Sequence, residues 1–230
     1  MRLLAIECAS EACSAALFTA DGMLPGAPPD PASLTLIAAD HRVLGRGHAE
    51  HLIPMIQGLP DRGRAEWIAV SRGPGSFTGV RIGIAAARAL ALAWNAELTG
   101  YPTLALVAAQ ARHEAGRQAA IAAMTGGHGE WFVQAFAEDG GALGDLASLT
   151  SEAAAMLGAD LVAGTRAADL VEKRGRGTAH VLHPDARALP ALPAQWLTRD
   201  TSPLYGRAPD AKLPGGKAPS APQSAEAPSP

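Results

Sequence analysis

Short apolar blocks separated by polar turns run through the first hundred residues. Leu3 to Cys8 is an apolar run carrying Glu7 near its end and closed by Ala9-Ser10-Glu11; Ala12 to Ala20 is a second, ended by Asp21-Gly22. Two such runs joined by a short polar turn predict a β-hairpin. Met23 to Ala32 carries Pro25, Pro28, Pro29 and Pro31, which excludes a central strand and predicts an exposed loop. A third strand is predicted over Leu34 to Ala39. From His48 to Leu59 the period changes, with Leu52, Ile53, Ile56 and Leu59 recurring at helical spacing. Trp67 to Ser71 reads as a short buried strand running into RGPGSFTGVRIG, residues 72–83. A long Ala- and Leu-rich helix follows, from about Thr78 to Asn95. Strand, glycine turn and helix in that order make an α/β crossover.

The same logic returns after Glu97. A short strand and a helix over Thr103 to Ala115 precede strands at Ala119 to Met124, Trp131 to Ala137 and Leu143 to Leu149. Ser151 to Leu157 then reads as helical, Asp160 to Gly164 as extended, Ala167 to Lys173 as helical and His180 to Leu182 as extended. The expected architecture is therefore two related α/β lobes, residues 1–97 and 98–213. Between Pro214 and Pro230 there is no aromatic or branched aliphatic residue, and a tail of that composition is expected to be disordered.

Composition narrows the classes. Only 4% of the 230 residues are aromatic and 51 are alanine, so the core must be built from small aliphatics at close range. Nineteen Lys and Arg against 22 Asp and Glu leave a net charge of −3, unlike the basic footprint of a protein that holds nucleic acid alone. Two cysteines, Cys8 and Cys13, make neither a disulfide framework nor a four-ligand zinc site, and free thiols in a reducing compartment are expected. No uninterrupted apolar run approaches the roughly 18–20 residues of a membrane span. The four apolar residues between Arg2 and Glu7 are too few for a signal-peptide core. A cytoplasmic protein with no membrane partner is expected.

The densest chemical signal is RGPGSFTGVRIG. Glycines before a helix start, with Ser76 and Thr78 available as caps, present backbone N–H groups suited to a phosphate. The specific fingerprints fail. Gly79 is followed by Val80 where a Walker loop needs Lys, and Gly73, Gly75 and Gly79 are one residue too long for G-x-G-x-x-G. Ser76 sits in G-S-F-T-G, not the G-x-S-x-G of a hydrolase elbow. Phosphate contact, a purely structural turn and a partner surface built on the large apolar Phe77 all remain open. Glu7 and Ser10, beside the first turn, join Gly75, Ser76 and Thr78 as candidate nucleotide or phosphate contacts. His48 and His51 lie at i and i+3 with Glu50 between them, but no second cluster completes a metal site, so no metal is assigned. Gly79, Gly83 and Ala87 fall four apart and line one face of the long helix with almost no side chain.

These segments carry a resemblance. LLAIECASEACSAALF (3–18), HAEHLIPMI (48–56) and above all VSRGPGSFTGVRIGIAAARALALA (70–93) resemble the bacterial TsaB (YeaZ) family, and PLYGRAPDAK (203–212) is similar to that family's C-terminal segment. The resemblance implies an actin-like ASKHA fold of two ribonuclease-H-like lobes with mixed sheets flanked by helices. It implies a role in forming N6-threonylcarbamoyladenosine at position 37 of tRNAs reading codons that begin with A. There the paralogue TsaD transfers the threonylcarbamoyl group, TsaB is its non-catalytic partner, and TsaE, an ATPase, joins them.

The paralogue's metal-binding histidines follow its long second helix, whereas Tyr101 to Val107 here has no histidine, cysteine or carboxylate. The resemblance therefore implies no catalytic residue and no cofactor of its own, with ATP and metal held by partner subunits and tRNA reached through the complex. It also implies that the first two helices meet TsaD, or a second copy when TsaD is absent, through His48, Leu52, Met55, Ile56, Phe77, Gly79, Val80, Gly83 and Ala87. The chain departs from the family in carrying Glu7 for Asp, and Thr125 to Glu130 for a D-A-R-x-G-E segment. Two rivals stand beside this reading: a metal-dependent peptidase or transferase acting alone, and an actin-like small-molecule kinase.

Overall fold

The computed structural model describes residues 1–20 and 27–206. The expected tail over 214–230, and residues 23–26 of the expected proline-rich loop, lie outside that range.

The first sheet comprises β1 (Arg2–Glu7), β2 (Ala12–Ala20), β3 (Leu34–Val43), β4 (Trp67–Ser71) and β5 (Glu97–Tyr101) in the order β3-β2-β1-β4-β5. Strands β1, β2 and β3 pair antiparallel, whereas β4 and β5 run parallel to β1. The second sheet comprises β6 (Ala120–Thr125), β7 (Trp131–Phe136), β8 (Ala147–Leu149), β9 (Leu161–Ala163) and β10 (Thr178–His180). Its order, β8-β7-β6-β9-β10, and its pairing senses reproduce the first strand for strand. Two lobes of one topology are thus present without a visible residue-level repeat.

The helices are α1 (His48–Gly58), α2 (Phe77–Trp94), α3 (Thr103–Ala115), α4 (Ser151–Ala154) and α5 (Ala167–Arg174). Strand β1 is buried on both faces, which is why it reads as a nearly unbroken apolar run. Its Leu4 and Ile6 pack towards α1 and α2, while Leu3 and Ala5 join a core shared with α3, β6 and β7. Helix α3 lies in that shared core with Leu104 through Ala109 buried, and its alanines admit it between the sheets. Helices α4 and α5 cover the far face of the second sheet.

Several expected boundaries move: β8 begins at Ala147, not Leu143, α4 ends at Ala154, not Leu157, and β10 is Thr178–His180, not His180–Leu182. Strand β5 hydrogen-bonds to β4 from Glu97 to Tyr101, so the first sheet ends at Tyr101 and a division at 97/98 would cut a strand. Strand β3 runs to Val43 because it pairs with β2 along its length, through an irregularity at Leu17/Phe18. The chain after β10 forms two 3-10 turns, Ala186–Ala191 and Ala194–Trp196, then returns to the first lobe. There Thr198 bridges Gly100, Arg72 Nε donates to Ser202 O at 2.8 Å and its guanidinium pairs with Asp200.

Candidate functional site

The RGPGSFTGVRIG segment is folded against the β1–β2 turn. A Cβ on Gly75 would lie 1.9 Å from Ala9 O, and one on Gly79 would lie 2.1 Å from Cys8 O. These two glycines let the loop and the first turn of α2 rest on backbone carbonyls, an approach closed to every other residue. Ser76 N donates to Ala9 O at 2.7 Å and Ser76 Oγ caps α2 by accepting from Gly79 N at 3.2 Å. Two amides expected for a phosphate are therefore already spent within the fold. The structural reading of this turn accounts for its glycines.

Glu7 is fully buried behind the same turn. Its Oε1 accepts from Ala9 N at 2.7 Å, while Oε2 has no hydrogen-bond partner. Burial dominates and pushes this carboxyl up to about 7, against the lowering effect of the Ala9 amide and Ser71 hydroxyl. Glu7 is thus no ligand contact in this structure. His48 Nε2 lies 2.9 Å from Ser10 O and 3.2 Å from Ala12 O; two carbonyls only accept, so Nε2 carries the proton and clamps the turn. A protonated Nε2 does not ligate a metal. Among the described residues no three His, Cys, Asp or Glu side chains converge as metal ligands would.

Between the lobes lies a cleft of about 810 Å³. Ser10, Gly75 and Ser76 line it from the first lobe, as the sequence reading expects of candidate contacts, whereas Glu7 and Thr78 do not. The opposite wall comes from the β6–β7 hairpin, Met124 to His128, with Phe132 and Thr165. At the mouth the Arg81 guanidinium sits 3.6 Å from the Phe77 ring centroid, and its Nε and Nη2 donate to Tyr205 Oη at 3.2 and 2.9 Å. The Phe77 and Tyr205 rings are 5.6 Å apart. This stack ties α2 to the returning C-terminal segment, whose Gly206 abuts Phe132. Arg81, Tyr205, Phe132 and Thr165 escaped the sequence reading. Arg81 lies within RGPGSFTGVRIG and Tyr205 within the PLYGR of the C-terminal resemblance, but neither segment marked them as cleft residues.

The helix face assigned to a partner is a correction. Leu52, Met55, Ile56, Val80 and Ala87 are at most 3% exposed, and His48, Gly79 and Gly83 are buried with them under the first sheet. The stripe of Gly79, Gly83 and Ala87 lets α2 approach β1 and β4, and the apolar positions of α1 fill the same core. Of the nine residues expected to meet a partner, Phe77 is the one at the surface, at 55% exposure. The opposite side of α2 faces outward: Ala85, Ala89 and Ala93 are exposed and Leu92 is 86% exposed. Ile53 and Pro54 are exposed on α1. By length and composition α2, 18 residues with a mean hydropathy of 1.3, would pass for a membrane span, a property hidden in the reading of uninterrupted runs by Arg81 and Arg88. Its buried stripe belongs to the lobe core.

Comparison with known proteins places this geometry. The family model described as "TsaD: tRNA N6-adenosine threonylcarbamoyltransferase" matches residues 42–183, more than half of the chain. The chain belongs to that family, on its TsaB (YeaZ) side. It is 34% identical over 144 residues to the tRNA threonylcarbamoyladenosine biosynthesis protein TsaB of Escherichia coli K12, an alignment covering 60% of this chain and 56% of that relative. The matched part thus spans little more than half of the relative's length. YeaZ from Pseudomonas aeruginosa superposes with a TM-score of 0.67 at 27% identity, covering 89% of this chain and 99% of that one. A second P. aeruginosa structure, described as similar to peptidase YeaZ, gives 0.68 at 28% identity over 90% and 99%. The family match and the duplicated sheet order agree with the two-lobed actin-like fold.

Proposed function

We propose that the chain serves tRNA N6-threonylcarbamoyladenosine biosynthesis as a non-catalytic partner of the TsaD transferase, binding it through the outward side of α1 and α2. The observation that carries this reading is the outer surface of α2. A helix whose inner stripe is already satisfied by its own sheet also presents Ala85, Ala89, Leu92 and Ala93 to solvent. Small and apolar side chains together suit close helix-to-helix contact. TsaE, ATP, metal and tRNA enter through the complex in this reading. A cytoplasmic location is part of the same proposal.

The chemistry of the chain's own residues supports a non-catalytic role. His48 is committed to two carbonyls, Glu7 is sealed from the cleft, and Ser76 Oγ is occupied as a helix cap. The test is nucleoside mass spectrometry on tRNA incubated with threonylcarbamoyl donor and purified subunits. The chain alone is expected to yield no modified base, and adding TsaD and TsaE to restore it. Modification by the chain alone, or undiminished modification when it is left out, overturns the proposal.

A further inference from the structure

Cys8 and Cys13 face each other across the end of the β1–β2 hairpin. The antiparallel register pairs Glu7 with Ser14, and its continuation places residue 8 opposite residue 13. Directly opposed residues carry Cβ atoms about 4.5–5.5 Å apart, within small adjustment of the ~3.5–4.5 Å of a disulfide. The two sulfurs are 3.5 Å apart, with no other group between them, and both thiols are free. Both side chains point into the core beside α2, where the Cβ position of Gly83 lies 3.4 Å from Cys8 Cβ.

We propose that Cys8 and Cys13 form a peroxide-oxidisable dithiol that closes to an intramolecular disulfide and shifts the seat of α2. The contact Cys8 S–H to Cys13 holds the Cys13 thiol below its ordinary value, while Cys8 is pushed well up by the same bond and by burial. Cys13 is therefore the attacking sulfur. Its thiolate displaces hydroxide from hydrogen peroxide, giving a sulfenic acid, and that hydroxide is protonated to water. The Cys8 sulfur then attacks the sulfenic sulfur, and the displaced hydroxide leaves as water with the Cys8 proton. Two thiols and one peroxide become one disulfide and two waters. At 2% and 0% exposure neither sulfur is open to peroxide in the closed fold, so the oxidant enters when the end of the hairpin opens locally.

Closure draws the sulfurs from 3.5 Å to about 2 Å. The residues between them are the anchor of both helices: Ala9 O accepts from Ser76 N, Ser10 O and Ala12 O accept from His48, and Cys8 O abuts Gly79. Contraction of the turn is thus passed to the start of α2 and to the cleft wall at Ser76. The inference rests on the hairpin register and not on the proposed function.

The test uses the reduced full chain, exposed to hydrogen peroxide, then unfolded and alkylated. Five methionines, Met156 at 85% exposure among them, take up oxygen under the same treatment, so the readout is the state of Cys8 and Cys13 located by fragmentation. The expected result is loss of both alkylatable thiols in a monomer with no oxygen on either cysteine, with dithiothreitol restoring both. Retention of both thiols at peroxide doses that oxidise the unfolded chain, oxygen on either cysteine, or linkage between chains overturns it. Hydrogen exchange on the oxidised form is expected to change at Ser76 and Gly79; unchanged exchange there overturns the coupling to α2.

Discussion

Gly79 and Gly83 are both helical, both buried and one turn apart, yet replacing each by alanine should move stability in opposite directions. A Cβ on Gly79 falls 2.1 Å from Cys8 O, about 1 Å short of the ~3.3 Å at which carbon and carbonyl oxygen sit. The obstacle is backbone, at the residue that follows the central strand β1, so no rotamer change relieves it and α2 must lift. Overpacking costs about 1–3 kcal/mol, and a clash this deep against backbone belongs to the upper part of that range, about 2–3 kcal/mol. Helix propensity returns up to ~1 kcal/mol on replacing glycine, leaving a net loss of about 1–2 kcal/mol. At Gly83 the same Cβ meets Cys8 Cβ at 3.4 Å and Val70 Cγ2 at 3.7 Å, ordinary contacts. Gly83→Ala should therefore be neutral to stabilising by up to ~1 kcal/mol. With a urea slope of about 2 kcal/mol per M, Gly79→Ala lowers the unfolding midpoint by about 0.5–1 M and Gly83→Ala raises it by at most ~0.5 M. A midpoint for Gly79→Ala at or above wild type, or a clear fall for Gly83→Ala, refutes the packing argument. Gly83→Arg, by contrast, drives a long cation against Cys8 and Val70 and should unfold the lobe.

Glu7 folds with its carboxyl raised from an ordinary 4.5 to about 7, so the native state binds the extra proton between those values. That contribution is fully present below about 4.5 and is lost as pH rises through 7, roughly 3 kcal/mol in all. Urea midpoints of wild type should fall between pH 5 and pH 8, and Glu7→Gln should flatten the profile; parallel profiles would contradict the assignment. Arg81→Ala removes the cation between Phe77 and Tyr205 at a cost of about 0.5–1 kcal/mol, and should speed exchange of the Leu204 amide, which donates to Arg72 O. Unchanged exchange would show that the stack does not hold the C-terminal segment.

Much of the fold is legible because its strands are short, buried and bounded by polar turns. The hairpin at Ala9 to Glu11 and the crossover at residues 72–83 stand where the apolar pattern puts them. What failed is the direction of a face. Gly79, Gly83 and Ala87 mark close approach, but sequence spacing does not say whether the approaching surface belongs to the same chain. The sheet of the first lobe supplies it, because β1 is apolar on both sides and must be covered on each. The cleft was half legible for a related reason: Ser10, Gly75 and Ser76 come from the turns already singled out, whereas Phe132, Thr165 and Tyr205 arrive from far along the chain. Glu7 looked like a ligand because it ends a strand, and the adjacent Ala9 amide and the core instead enclose it.

The central claim is that the outward side of α2 meets TsaD, and affinity of the purified chain for TsaD tests it most directly. Leu92, 86% exposed, is replaced by Glu; a surface change of this kind keeps stability within about 0.5 kcal/mol, which an unchanged urea midpoint confirms. The account predicts tight binding by wild type and a loss of at least about tenfold, ~1.4 kcal/mol, for Leu92→Glu. Equal binding by the two, or none by wild type, contradicts it.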